Sequence, residues 1–237
     1  MAPMVEIHTI GFDADDTLWH NETFFDLSQK RFFELVDDHA DAATLKKSLF
    51  AVEKRNLALY GYGIKGFTLS MIETALEVTE GRLPGTTVAE ILAIGRSMLE
   101  HPVEPLPGVR ETLEALAGEV RLVLITKGDL LHQEQKIARS GLGDFFDALE
   151  IVSEKDADTY RRIFARHGSG PLGAAMVGNS LRSDILPAIE AGSWGLHVPY
   201  HIVWEHEHAE APPDLPRLVT LETIEGVLGW WAEREAG

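Results

Sequence analysis

Residues 5–12, "VEIHTIGF", form a short half-apolar run of strand length, and the run stops at the acidic turn "DADD" (13–16). From Asn21 to about Glu100 the apolar positions switch to helical spacing. Phe24, Phe25, Phe32, Phe33 and Val36 come first, then Leu45, Leu49, Val52 and Leu57; after the glycine-rich "GYGIKG" (61–66) come Leu69, Ile72, Leu76, Val88 and Leu92. This spacing predicts about 80 residues of helix without a strand. Three prolines within residues 101–107 mark a boundary, and Pro107 with Gly108 opens a new helix. Beyond it strands and helices alternate. "VRLVLIT" (120–126), "ALEIV" (148–152), "AAMVGN" (174–179) and "SWGLHVP" (193–199) read as strands. Between them "DLLHQEQKIARSGL" (129–142), "DADTYRRIFARHG" (156–168) and "RSDILPAIEAG" (182–192) read as helices. Such alternation implies a parallel sheet with helices on both faces. The expected fold class is therefore α/β: a Rossmann-like parallel-sheet core in residues 1–19 and 104–237, interrupted after its first strand by a helical insertion at 20–103. No internal repeat or low-complexity tract interrupts this pattern.

Composition changes the picture only at the margins. The chain of 237 residues is 45% hydrophobic and 25% charged, ordinary for a globular protein. Its formal net charge of −17 argues against a sequence-independent nucleic-acid binder and leaves room for a bound divalent cation. With no cysteine, disulfides and thiol catalysis are excluded. The N-terminus has no basic segment followed by an apolar one, and no stretch approaches the roughly 18–20 apolar residues of a membrane span. A cytoplasmic enzyme with no nucleic-acid or membrane partner is the expectation.

In an open parallel sheet, ligands bind beyond the carboxyl ends of the strands. Four such ends carry chemistry here. The first leads into Asp13 and Asp15; the second ends at Thr126, followed by Lys127 and Gly128; Lys155 lies just past the third; Asn179 ends the fourth, with Asp184 five residues on. Each residue type has a place in phosphoryl transfer. An aspartate can attack phosphorus and carry the group as an acyl phosphate. A second one can protonate the leaving oxygen and later activate water. A hydroxyl, backbone N–H groups and an ammonium suit the equatorial oxygens of the transferring group. Mg²⁺ favours oxygen ligands with few carboxylates.

The chain resembles the haloacid dehalogenase superfamily of phosphohydrolases. Its DxDxT motif stands as Asp13-Ala14-Asp15-Asp16-Thr17, its strand-end Thr or Ser as Thr126 in "LITKGD", its lysine as Lys155 in "SEKD", and its GDxxxxD as "GNSLRSD" with Gly178, Asn179 and Asp184. "HQEQKIARSGLGDFFD" resembles the segment between the second and third motifs, and residues 20–103 sit where the family carries a cap domain. The resemblance implies Asp13 as nucleophile and first Mg²⁺ ligand, and Asp15 as general acid/base with its backbone carbonyl on the metal. It implies Thr126 and the Lys127 N–H as phosphate-binding groups, Lys155 as the charge between Asp13 and phosphate, and Asp184 as a metal holder. Two departures stand out: Asn179 replaces the usual aspartate, removing one negative charge while remaining a ligand or a donor behind one, and Asp156 follows Lys155 where proline is frequent. A cap that closes over the rim implies small phosphate monoesters such as sugar phosphates, phosphoglycolate or nucleoside monophosphates. A monomer or homodimer is expected.

Alternatives remain at this level. A phosphomutase uses the same four motifs. A haloacid dehalogenase generally lacks an acid/base aspartate at the position of Asp15. A phospho-acceptor signalling domain is a parallel α/β unit of about half this length, and a catalytically silent relative would not keep all five motif residues. Taken singly, Thr126 reads as a strand-end hydroxyl, Lys155 as a solvated charge and Asp184 as an acid at a helix start; the four motifs in order favour function. Asp16 reads as a structural or solvated carboxylate. "GYGIKG" matches a dinucleotide fingerprint but follows a helix, so a loop facing the active site from the cap is the better expectation, with Tyr62, Ile64 and Lys65 as candidates for substrate selection. His206 and His208 beside Glu205 and Glu207 suggest a metal cluster without a full ligand set, and a surface loop is favoured. The phenylalanine pairs read as core.

Overall fold

Six strands pair in parallel: β1 (Thr9–Phe12), β2 (Arg121–Lys127), β3 (Ala148–Val152), β4 (Ala174–Gly178), β5 (Trp194–His197) and β6 (Leu218–Thr220). They lie in the order β3-β2-β1-β4-β5-β6, the Rossmann-like α/β arrangement the alternation predicts. The computed structural model describes residues 6–235, so Val5, the first residue of the expected strand, lies outside it. β1, the middle of β2 and all of β4 are buried on both faces, which is why they read as unbroken apolar runs. Side chains still alternate between the faces. Leu122 and Leu124 pack with Ile10, Phe12 and Val177 beneath α5 (Val109–Leu116), α6 (Leu130–Ser140) and α9 (Gly226–Glu235). Val123 and Ile125 pack with Met176 beneath α7 (Ala157–Arg166) and α8 (Leu186–Ala191).

Two elements depart from the sequence reading. The helix expected over 182–192 begins as a π-helical turn, Leu181–Ile185, and becomes α8 only at Leu186, one residue before Pro187. The pattern also gave no strand beyond residue 199, whereas β6 adds a sixth at the sheet edge and α9 follows it. β6 has three residues behind a proline-rich stretch, two half-buried and one exposed, too few to show a period.

The chain falls into two units. The first runs through Glu22 and takes up Val103–Lys127 and Gln133 onward; the second takes Thr23–Pro102 and Gly128–His132. In the second unit α2 (Ala42–Tyr60), α3 (Ile64–Val78) and α4 (Gly85–Glu100) join α1 (Glu22–Val36) around Phe32, Leu45, Leu49, Met71, Ile91 and Ile94. Phe25 and Phe33 pack against that core and Phe24 lies against His101, so the phenylalanines are structural. Only residues 61–63 of "GYGIKG" form a turn; Ile64, Lys65 and Gly66 already begin α3. Lys65 pairs with Asp129 at 3.0 Å. Among the described residues no helix is long and apolar enough to cross a membrane.

Candidate active site

The sheet order reverses between β1 and β4, and the chain leaving β1 is pinned there by the Asp13 N–H, which donates to the Val177 carbonyl at 2.9 Å. It then curls tightly: the Ala14 carbonyl accepts from Leu18 N–H at 2.8 Å, and Asp16 takes the left-handed conformation, φ 62°. Ala14, Leu18 and Trp19 go into the core, leaving Asp13 and Asp15, two residues apart, at the strand end.

Asp13 lies in a buried ion triad. The Lys155 ammonium contacts Asp13 Oδ1 and lies 2.7 Å from Asp184 Oδ1. Asp13 Oδ2 lies 3.1 Å from the Thr17 hydroxyl, which also lies 3.2 Å from the Asn179 amide oxygen. Three separate segments supply these groups. Lys155 sits just before α7, where Asp156 caps the helix by accepting from the Thr159 N–H at 2.7 Å. Capping is the use the chain makes of that departure from the usual proline. Asp184 sits in the π-helical turn, with Oδ2 accepting from the Ser180 N–H at 3.0 Å. Gly178 makes room for it: a Cβ there would come within 2.4 Å of Asp184 Oδ2. Burial and the neighbouring Asp184 raise the Asp13 carboxyl to about 7 against the pull of Lys155, while its two carboxylate neighbours push the Lys155 ammonium above its ordinary value despite burial.

Asp15 has a different setting. Its Oδ1 accepts from Trp19 Nε1 at 2.7 Å and contacts the Lys136 ammonium; its Oδ2 accepts from Gln133 Nε2 at 3.0 Å. Burial alone would raise its pKa, but Lys136, Gln133 and Trp19 outweigh that and hold it below the ordinary value. Gln133 Nε2 also reaches Thr126 Oγ1 at 3.2 Å and the Lys127 carbonyl at 2.9 Å, which ties the ends of β1 and β2 together. The Lys127 side chain turns to Ser183 Oγ at 2.8 Å and Glu207 Oε1 at 2.5 Å. Asp16 is structural and buried rather than solvated. It accepts the N–H groups of Asn21 and Glu22 at 2.8 and 3.0 Å at the start of α1, and burial lifts it to about 7 against those bonds.

All the motif residues thus meet in one network. Asp13 is joined to Asp184 through Lys155 and to Asn179 through Thr17, Thr126 is joined to Asp15 through Gln133, and Lys127 to the Asp184 turn through Ser183. The motifs did not point to Trp19, Gln133, Lys136 or Glu207. Gln133 and Lys136 lie on the buried face of α6 with Ile137 and Ser140, where long polar side chains need partners, but only the fold shows which face of the helix is buried. In "WEHEH", Glu207 folds inward onto Lys127, Ser180 and Ser183, and among the described residues no group of three or more His, Cys, Asp or Glu forms a metal cluster.

The donor set can be tested against the Mg²⁺ that the motifs imply. Two buried carboxylates, Asp13 and Asp184, face one ammonium, which leaves a net negative charge that an added cation would neutralise. The remaining oxygen donors nearby are neutral, including the Asn179 amide held at Thr17. Few carboxylates together with neutral oxygens fit Mg²⁺ better than a transition metal.

A family model for haloacid dehalogenase-like hydrolases matches residues 7–192. The Escherichia coli pyrimidine 5′-nucleotidase YjjG is 30% identical, over 77% of this chain and 82% of its own. A glyceraldehyde 3-phosphate phosphatase from Methanothermobacter thermautotrophicus is 25% identical, over 86% of this chain and 91% of its own. Among solved structures, a haloacid dehalogenase-like family hydrolase from Xanthomonas campestris superposes with a TM-score of 0.85 at 42% identity, covering 100% of this chain and 99% of its own. The fold, the network and these matches define an α/β hydrolase with paired aspartates at its first strand end. The chain belongs to the haloacid dehalogenase-like hydrolases.

Proposed function

We propose that the protein is a Mg²⁺-dependent phosphatase that hydrolyses small phosphate monoesters through an aspartyl-phosphate on Asp13. The observation that carries this reading is the buried Asp13–Lys155–Asp184 triad set beside a hydrogen-bonded Asp15 at the reversal point of the sheet. A carboxylate salt-bridged to an ammonium is held in place to attack phosphorus. In the reacting complex, where the negative phosphoryl group offsets the pull of Lys136, Asp15 carries a proton on the open position of Oδ2 and delivers it to the departing alcohol oxygen as the phosphorus–oxygen bond breaks; as carboxylate it then takes a proton from the water that attacks the acyl phosphate, which renews that proton, releases inorganic phosphate and restores Asp13. Thr126 and the Lys127 N–H bind phosphoryl oxygens, and Lys155 offsets the charge between them and Asp13. Asp13, Asp184, the Asp15 carbonyl and Asn179 would hold the metal. When bound, Mg²⁺ supplies positive charge against the phosphoryl oxygens. Asp15 itself favours ester hydrolysis over carbon–halogen cleavage, which needs no proton on a leaving alcohol. The relatives' activities, on a pyrimidine 5′-nucleotide and on glyceraldehyde 3-phosphate, support small monoesters as the substrate class.

A panel of nucleoside monophosphates, triose and sugar phosphates and phosphoglycolate, assayed with and without Mg²⁺, tests the proposal. Phosphate release that needs Mg²⁺ and falls by about 10³-fold or more in Asp13→Asn and Asp15→Asn is expected. Full activity in Asp13→Asn, or no release from any ester, would refute it. Conversion of a sugar phosphate to its isomer would assign the protein as a mutase instead.

A further inference from the structure

We infer that Lys136 and Gln133 are positioning residues that fix the carboxylate of Asp15 for proton transfer; this rests on the reading of Asp15 as the general acid/base. Both lie on α6, three residues apart and so on one face of the helix, and both are buried, at 6% and 3% exposure. Burying an ammonium is costly unless it is paired. Lys136 is paired with Asp15 Oδ1 and with Asn21 Oδ1 at 2.9 Å. Trp19 Nε1 takes the same Asp15 oxygen from the other side of the turn, and Gln133 Nε2 takes Oδ2. A carboxylate offers about four acceptor positions. Three are filled, so rotation about the side chain breaks charge-assisted bonds on both oxygens while one position on Oδ2 stays available to a substrate oxygen or water.

The Gln133 amide is committed in the same direction. Its two hydrogens face three acceptors: Asp15 Oδ2, Thr126 Oγ1 and the Lys127 carbonyl. Flipping the amide would set its oxygen against a carboxylate and a carbonyl, so the orientation is fixed even though Oε1 is buried and, among the described residues, without a partner. The arrangement sets the acid/base at the end of β1 at a constant distance from the phosphate-binding threonine of β2.

The test uses Lys136→Met and Gln133→Leu, each close in size to the side chain it replaces, on the best alkyl phosphate from the panel and on p-nitrophenyl phosphate. The parameter kcat/KM reports steps up to phosphoryl transfer onto Asp13, where only the alkyl ester needs a proton on its leaving oxygen. We expect kcat/KM to fall about tenfold or more for the alkyl ester and less than about threefold for the aryl ester. The aryl kcat should fall too, because water attack needs Asp15 as base, and its KM should fall with it. In Asp15→Asn enzyme the same substitutions should change aryl kcat/KM less than about twofold. Equal losses on both esters, or an undiminished further loss on the Asp15→Asn background, would make these residues structural and overturn the inference. If Lys136→Met fails to fold, Gln133→Leu decides alone, since it leaves the Lys136–Asp15 pair in place. A crystal structure of either variant in which Asp15 keeps its position also overturns it, and does so whether or not the wild type proves to be a phosphatase. Failure of the wild type to release phosphate from any ester is, by contrast, a failure of the proposed function.

Discussion

At the scale of single residues, three carboxylates within four positions have three different settings. Asp13 shares one ammonium with Asp184, Asp15 is held by an ammonium and two neutral donors, and Asp16 caps a helix. The consequence is a pH dependence of stability. In the metal-free protein Asp13 and Asp16 titrate at about 7, against 3.8 in an unfolded chain. Between those limits these two groups hold protons in the folded state that the unfolded state has released, so their contribution to stability is fully present below the lower value and is lost as pH rises toward the upper one, whereas Asp15, held below its ordinary value, contributes stability that is lost as pH falls. Asp13→Asn removes part of that loss and leaves Lys155 neutralised by Asp184. Chemical denaturation without Mg²⁺ should find the variant inactive yet more stable than wild type above pH ~7, by on the order of a few kcal/mol, with a shallower decline from pH ~4 to ~7. A variant less stable than wild type at high pH would contradict the buried, under-neutralised triad. Asn179 belongs to the same arithmetic, since an aspartate there would add one more charge beside Asp13. The placement of Asp13 and Asp15 together at one strand end was legible because a motif spaces them; Gln133 and Lys136 were not, because a long polar side chain on a helix looks solvated until the sheet it faces is known.

At the scale of elements, legibility followed burial. The runs that became β1, β2 and β4 stand out because both faces are covered, whereas β6 is a three-residue edge strand with neither length nor contrast. The α8 region misled for a related reason. Its apolar spacing is helical, but the turn widens at Leu181–Ile185 and carries Asp184 beside Gly178 at the end of β4. That close approach makes Gly178 a determinant of the site without any chemistry of its own. Gly178→Ala should displace Asp184 from Lys155, lower Mg²⁺-dependent activity by about tenfold or more and cost ~1–3 kcal/mol of stability. Unchanged metal dependence in titrations of this variant would show that Asp184 tolerates the shift.

At the scale of the whole molecule, a net charge of −17 makes the folded state repel itself, and simple salt should raise the melting temperature by screening. Millimolar Mg²⁺ should raise it further than NaCl of equal ionic strength, and the excess should vanish in Asp184→Asn, because site binding adds stability that screening does not. Equal shifts with the two salts would count against a metal at the triad. The alternation of apolar runs by itself determined a parallel α/β core with a helical insertion, and four short motifs determined where along that core to look. Both are local properties, written in periods of two and 3.6 residues and in fixed spacings. Only the tertiary structure decided that Lys155 bridges Asp13 and Asp184, 142 and 29 residues away, that Gln133 joins Asp15 to Thr126, and that Lys136 faces inward. The reason is physical: what a buried charge costs, and which proton a carboxylate keeps, depend on neighbours brought close by strand order rather than by sequence.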